Sequence, residues 1–324
     1  MRLLVTGSGG FVGGHLVDLL RAEHPEVEVH GVVLPQGGVS WRAPSGARVI
    51  EADLTDPAAA ATAVEEIRPD RIIHLAGQAS VHLSWLDPAG TMRTNVLGIV
   101  HLLDAVRSRG LRPPVLVVGS AEEYGPVGPE EMPIREETPL RPASPYAVSK
   151  VAQGALALLY GPAGGMRVVL TRPFHHTGPG RGEAFAESSF SRQIAEIEAG
   201  LRPPVLKVGN LEAVRDFTDV RDVVRAYWML LEKGEGGVAY NVCSGRGRRI
   251  RDLLEVLLAA SSVRVEVRVD PERLRPSDVP AQVGDPSRLR AATGWEPRIP
   301  LERTLQDLLD DWRARIAATA PPSP

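Results

Sequence analysis

The sequence predicts an α/β fold, a doubly wound parallel sheet joined to a smaller C-terminal α/β lobe. Short β-branched runs alternate with longer helical patterns through residues 1–120, as parallel strands do when their crossovers cover both faces of a sheet. A glycine-rich turn begins at residue 7, between the first apolar run and the first amphipathic helix. After Pro173 the alternation gives way to irregular stretches rich in Gly and Pro before helical patterns return.

Strands are expected at Arg2–Thr6, Val27–Leu34, Ala47–Glu51, Arg71–Leu75 and Val115–Gly119, with helices over Phe11–Glu23, Pro57–Ile67 and Ala89–Arg109 between them. Each crossover is expected to be right-handed. A helix over Tyr146–Tyr160 and a strand over Met166–Thr171 follow. Later helices are expected at Glu183–Ala199, Asp219–Glu232, Ile250–Ala259 and Leu301–Ala317. This assigns residues 1–172, plus about 218–243, to the sheet domain, and 173–217 with 244–324 to the lobe. Only the tail "ATAPPSP" reads as disordered.

A chain of 324 residues is long enough for both parts. The net charge of −3 supplies no basic field for nucleic acid or anionic lipid, so neither is expected as a partner. The single cysteine, Cys243, excludes an intrachain disulfide and reads as a small buried hydrophobe within "AYNVCSG". The apolar run Leu3–Val5 is too short for a signal segment or a membrane span. A soluble, cytoplasmic protein is therefore expected, and no metal site is assigned.

In "LLVTGSGGFVGGHLVDLL", Gly7, Gly10 and Gly13 lie between strand and helix. Without Cβ atoms there, the backbone can approach a pyrophosphate, and the helix N-terminus presents free N–H groups to it. This makes the fold of the Rossmann type, with Phe11 and Val12 lining the same cofactor loop. The spacing is G-x-x-G-x-x-G, because Val12 stands where the G-x-G-x-x-G pattern requires glycine. An NAD site usually carries an acid at the end of the second strand, but this chain reads Val33, Leu34, Pro35, Gln36. NADP(H) is thus favoured over NAD(H), with Arg42 the nearest candidate for a 2′-phosphate. Asp53, beside Leu54, is placed to accept a hydrogen bond from adenine, while Asp56 suits the N-cap of the next helix. Leu75, Ala76 and Gly77 would let the chain pass close to the cofactor.

"SPYAVSK" places Tyr146 and Lys150 four residues apart, on one helical face. The ammonium is expected to lower the phenol's pKa and to hold the nicotinamide ribose, while the phenol exchanges a proton with a sugar oxygen. Ser120, in "VVGSAEEYG", would complete the group by hydrogen-bonding the reacting oxygen. Of Glu122 and Glu123, one is expected to face the sugar and at least one to be an ordinary solvated carboxylate.

These residues carry a resemblance. "GGFVGGHL", "YAVSK" and "RDFTDV" resemble the extended short-chain dehydrogenase/reductases, over nearly the whole chain. "VGNLEAVRDFTDVRDVVRAY" and "RPSDVPAQVGDPSRLRAATGWEPRIPLERTL" look like the branch of GDP-mannose 4,6-dehydratases and GDP-6-deoxy-D-mannose reductases. The resemblance implies a nucleotide-sugar substrate, contacted by Arg215 and Arg275, whose guanidinium forks match diphosphate oxygens. It also implies Asn210 near the base, Gln78 and Glu122 toward the sugar, Pro173 and His176 beside the cofactor, and a homodimer built on the helices Ala89–Arg109 and Tyr146–Tyr160. Ala147, Val151, Ala155 and Leu158 fit such an interface or simple core packing. His175 stands where the family has Asn; it is larger and expected to titrate near neutrality.

Dehydratases of the branch carry Thr–Ser–Glu where this chain has Ser120, Ala121 and Glu122. Dehydration needs a base for one proton and an acid for the leaving hydroxyl, whereas a ketone reductase needs hydride delivery and one proton. The reductase is preferred: GDP-4-dehydro-6-deoxy-D-mannose to GDP-D-rhamnose. A 4,6-dehydratase, a C4 epimerase and a non-catalytic nucleotide sensor are the competing readings, the last disfavoured by the intact Ser120, Tyr146 and Lys150.

Overall fold

A computed structural model describes residues 1–35, 46–273 and 279–319. Gln36, Arg42 and Arg275 lie outside the described residues. The main sheet has seven parallel strands: β1 (Arg2–Thr6), β2 (Glu28–Val33), β3 (Arg48–Glu51), β4 (Arg71–His74), β5 (Val115–Val118), β6 (Val168–Pro173) and β10 (Ala239–Val242). Their order is β10-β6-β5-β4-β1-β2-β3. The order reverses between β1 and β4, so the loops after these strands diverge and open a crevice at the carboxyl edge.

The central strands β1 and β5 are mainly apolar because both faces of the sheet are covered there, whereas the edge strand β3 is exposed. Leu3 and Val5 face one core with helices α1 (Phe11–Glu23) and α8 (Val220–Lys233). Leu4, between them, faces the other core with α2 (Pro57–Ile67), α5 (Gly98–Ser108) and α6 (Pro145–Gly164). Asp56 caps α2 by accepting from the Ala58 N–H at 2.9 Å. Ser144 caps α6 by accepting from Ala147 N–H at 3.1 Å, Pro145 opens that helix, and Gly165 ends it at φ +64°.

The helix expected over Ala89–Arg109 is divided. Residues Val81–Leu86 form α3, Pro88–Met92 form α4, and a π-helical turn over Arg93–Leu97 leads into α5. Asp87 separates the first two, since Pro88 cannot continue α3 and the Asp87 carboxylate accepts from the Gly90 N–H at 2.8 Å. The π turn directs Asn95 fully inward. Such turns are costly and concentrate at functional sites.

The remaining strands are β7 (His175–Thr177), β8 (Val205–Val208), β9 (Val214–Asp219), β11 (Gly247–Arg249), β12 (Glu266–Val269) and β13 (Ala281–Gln282). Strand β9 pairs with β7, β11 and β13, while β8 pairs with β12. Helices α7 (Ala186–Glu198), α9 (Ile250–Ala259) and α11 (Leu301–Thr319) enclose a separate core of Phe190, Ile194, Leu206, Phe217, Leu254 and Leu305. A short α10 (Ser287–Thr293) leads to Trp295, which is fully buried and donates its indole N–H to Asp222 O at 2.9 Å. Among the described residues no helix is long and apolar enough to cross a membrane. Cys243 is fully buried.

On α6, Ala147 is core, and the outward stripe runs through Val148, Ala155 and Leu159. Leu83, Trp85 and Leu86 of α3, which packs on α6, are also exposed.

Candidate active site

The first wall of the crevice is the glycine turn. Gly7 adopts φ +71°, and a Cβ there would sit 2.9 Å from Ala76 N. A Cβ on Gly13 would sit 2.4 Å from Gly7 O and 2.6 Å from Ser8 Cα, so helix and turn meet at a separation only glycine permits. Gly10 is the N-cap of α1 and supplies no side-chain cap. Gly13→Ala is expected to destabilise the fold by about 1–3 kcal/mol and to weaken dinucleotide binding. Urea unfolding and fluorescence titration check both.

Opposite this wall, Gly77 lets two polar side chains converge. A Cβ there would lie 2.8 Å from Asn95 Oδ1 and 3.5 Å from Lys150 Nζ. Asn95 Oδ1 accepts from Gln78 N–H at 2.7 Å, and its Nδ2 donates to Gln78 O at 3.1 Å and Ser149 Oγ at 2.8 Å. Asn95 thus ties the loop after β4 to α6. Nothing in "RTNVLG" signals this, because a π turn has no sequence period of its own. Gln78 commits its side-chain amide to its own loop and to α4: Nε2 donates to Ser80 O at 2.9 Å and to Thr91 Oγ1 at 3.0 Å. Asp53 Oδ1 accepts from Thr55 N–H at 2.8 Å. Leu54 is buried, and its carbonyl meets His101 Nδ1 at 2.9 Å.

Ser120 follows β5, Tyr146 opens α6, and both are 8% exposed. The Ser120 side chain lies beside the Tyr146 phenol and lowers its pKa. Burial pushes that phenol up to about 12; Ser120 opposes this, the charges of Glu122 and Glu123 add to it, and Arg181 lowers it. This corrects the expectation that Lys150 acidifies the phenol. Lys150 Nζ lies 6.0 Å from the Tyr146 ring centroid, and it donates to Val118 O at 3.0 Å and Gln153 Oε1 at 2.9 Å. Burial lowers Lys150 to about 8, against a raising contribution from Glu123.

Glu123 is buried: Oε1 accepts from Ser120 N–H at 2.8 Å and Oε2 pairs with Arg172 Nε at 2.9 Å. Burial raises its pKa, with Arg172 the largest opposing influence. Gly119 is needed beside it, because a Cβ there would stand 2.2 Å from Glu123 Oε1. Glu122 is half-buried. Glu123 and Arg172 are thus functional supports that sequence reasoning passed over; the capping spacing from Ser120 to Glu123 was the available signal.

The lobe supplies the third wall. His175 is pushed down to about 3 by burial first, then by Arg215, Arg181 and His176, so it is neutral near pH 7 and does not titrate there. Its ring tilts against Phe217 at 5.6 Å. His176 stacks parallel on Phe11 at 6.2 Å and meets Phe174 O through Nδ1 at 2.9 Å, so it faces the cofactor loop. Arg181, which sequence reasoning missed, lies over the rings of Phe185 at 3.3 Å and Phe11 at 5.0 Å. Pro173 is buried at the end of β6, and Asn210 is exposed, its Oδ1 accepting from Glu212 N–H at 2.9 Å. Beside Arg215, Asp216 is fully buried; its carboxylate accepts from Ser244 N–H at 2.8 Å, Ser244 Oγ–H at 2.6 Å and Gly245 N–H at 2.9 Å.

The glycine turn, the buried phenol and the buried ammonium therefore lie at the carboxyl edge of the same sheet. Residues 4–308 match the family model described as GDP-mannose 4,6 dehydratase. The chain is 41% identical over 315 residues to the GDP-6-deoxy-D-mannose reductase of Pseudomonas aeruginosa, covering 97% of this chain and 98% of that one. It superposes on the structure of RMD from Pseudomonas aeruginosa complexed with NADPH with a TM-score of 0.86, at 40% identity over 97% of this chain and 99% of that one. Against the Thermus thermophilus UDP-glucose 4-epimerase complex with NAD, the TM-score is 0.85 at 33% identity, over 97% and 99%. The chain belongs to the GDP-mannose 4,6-dehydratase family.

Proposed function

We propose that this protein reduces the C4 ketone of GDP-4-dehydro-6-deoxy-D-mannose to give GDP-D-rhamnose, using NADPH, with NADH the second choice. The observation that carries this reading is the burial of Tyr146 beside Ser120, which raises the phenol's pKa and keeps it protonated. A protonated phenol suits the reduction of a ketone, which consumes a proton, better than the opening oxidation of a dehydratase, which needs a base. The name of the Pseudomonas relative supports the substrate, and its complex supports the cofactor.

The uncapped N-terminus of α1 and the glycine turn fit the pyrophosphate of a dinucleotide. When bound, the reduced nicotinamide supplies hydride. Tyr146 donates its proton to the C4 oxygen while Ser120 hydrogen-bonds the same oxygen. Lys150 has one N–H beyond those given to Val118 and Gln153, and it would hold the nicotinamide ribose. Gly7, Gly10, Phe11, Val12, Gly13, Asp53, Leu54, Leu75, Ala76, Gly77, Pro173 and His176 complete the cofactor side. Gln78, Glu122, His175, Asn210, Arg215 and Arg275 form the sugar-nucleotide side.

Ala121, where dehydratases have a hydroxyl, is buried against Tyr124, Ile134, Phe174 and Cys243. The Ala121 methyl itself has no proton to transfer. A 4,6-dehydratase is the second reading, favoured by Glu122, whose charge reaches Tyr146. Incubation with GDP-mannose, then with its 4-keto product plus NADPH, separates the two when the sugars are identified by mass. Consumption of NADPH only with the ketosugar is expected; turnover of GDP-mannose without added reductant refutes the reductase.

On this reading residues 1–172 with about 218–243 hold the cofactor, and 173–217 with 244–324 hold the nucleotide sugar. The enzyme works in the cytoplasm as a homodimer. The exposed Leu83, Trp85, Leu86, Val148 and Leu159 support that interface. Leu159→Glu is expected to shift the species seen by sedimentation velocity from dimer to monomer.

A further inference from the structure

We propose that Arg248 is a second cation of the substrate's diphosphate site, acting with Arg215. The inference rests on the nucleotide-sugar reading above. Strand β9 lies between β11 and β13, and Arg215 faces Arg248 on one side and Gln282 on the other. Residues paired across adjacent strands project to the same face of a sheet. Gln282, Arg215 and Arg248 therefore form a row, one residue per strand.

The row has a direction. At one end, Gln282 Nε2 donates to Ala121 O at 3.0 Å, so that end abuts the residue next to Ser120. Arg215 is one strand farther out and close enough to His175 to act on it electrostatically. Arg248 is another strand out, roughly 10 Å across the sheet from Gln282. A hexose whose C4 lies at Ser120 and Tyr146 would send its diphosphate outward along this row. Two guanidinium groups directly opposite one another on paired strands repel, and an anion lying between them reverses that cost. The carboxylate that meets Arg248, Glu302, is 3.6 Å away with both side chains about half exposed, a contact of little strength. Arg248 is thus available to a stronger anion.

Calorimetric titration of the intact protein with GDP, and separately with NADPH, tests this. Arg248→Gln is expected to weaken GDP binding about 10-fold or more, with NADPH binding unchanged. Arg248→Lys should recover part of the loss, because a point charge serves a phosphate less well than a fork. Glu302→Gln should bind GDP at least as tightly as the unaltered protein. GDP affinity in Arg248→Gln within two-fold of the unaltered protein would overturn the role of Arg248 and leave the nucleotide-sugar reading standing. If the unaltered protein binds UDP or dTDP in place of GDP, the base assignment is wrong, and the same loss in Arg248→Gln with that nucleotide upholds the row. Failure to bind any nucleoside diphosphate, with NADPH still bound, overturns both.

Discussion

Tyr146→Phe is expected to lower kcat for ketosugar reduction by at least ~100-fold, the usual range for removing a positioned general acid. The side chain is buried, so Phe occupies nearly the same volume and only the hydroxyl is lost. Stability should change by no more than about 1 kcal/mol. NADPH affinity should remain within a few-fold, because the glycine turn and α1 are untouched. The measurement is single-turnover oxidation of NADPH by the ketosugar, with the cofactor Kd determined separately. Full activity in the variant removes the phenol from the mechanism.

Lys150→Met is expected to abolish most activity and also to alter how stability depends on pH. Burial lowers the Lys150 ammonium from 10.5 to about 8. Between these values the unfolded chain binds a proton that the folded chain has released. Stability therefore rises with pH across that window, by up to about 3 kcal/mol for a shift of this size. At pH 7 both states are protonated, and the cost of the buried charge is present in full. Activity should run the other way, falling above pH 8 as the cation that holds the ribose is lost. Unaltered protein at pH 9 is thus expected to be harder to unfold and slower than at pH 7. In Lys150→Met the rise in stability should be absent. Parallel stability curves for the two proteins from pH 7 to 10 would refute the assignment.

These two predictions concern residues that the sequence identified and whose surroundings it did not. The four-residue spacing of Tyr146 and Lys150 is a local property of a helix, readable from the chain. The electrostatics are not local. The groups that set the two pKa values are Ser120, Glu122, Glu123 and Arg181, on a different strand end and in the lobe. Lys150 turns away from the phenol toward Val118 and Gln153. The same limit applied to His175, expected to titrate near neutrality and instead held neutral by burial. It applied to Glu123 as well, which is buried with Arg172.

The main sheet and the cofactor turn follow from the chain alone. Apolar runs of four to six residues, helices with an amphipathic face, and glycines at positions 7, 10 and 13 are short-range patterns, each set by sterics and solvent exposure along a few residues. The π turn at Asn95 and the row from Gln282 to Arg248 depend on segments far apart in sequence. Their energies come from contacts that exist only after the chain has closed on itself. A linear pattern carries the propensity of each piece, and the burial and charge each piece meets in the fold then decide what its side chains can do.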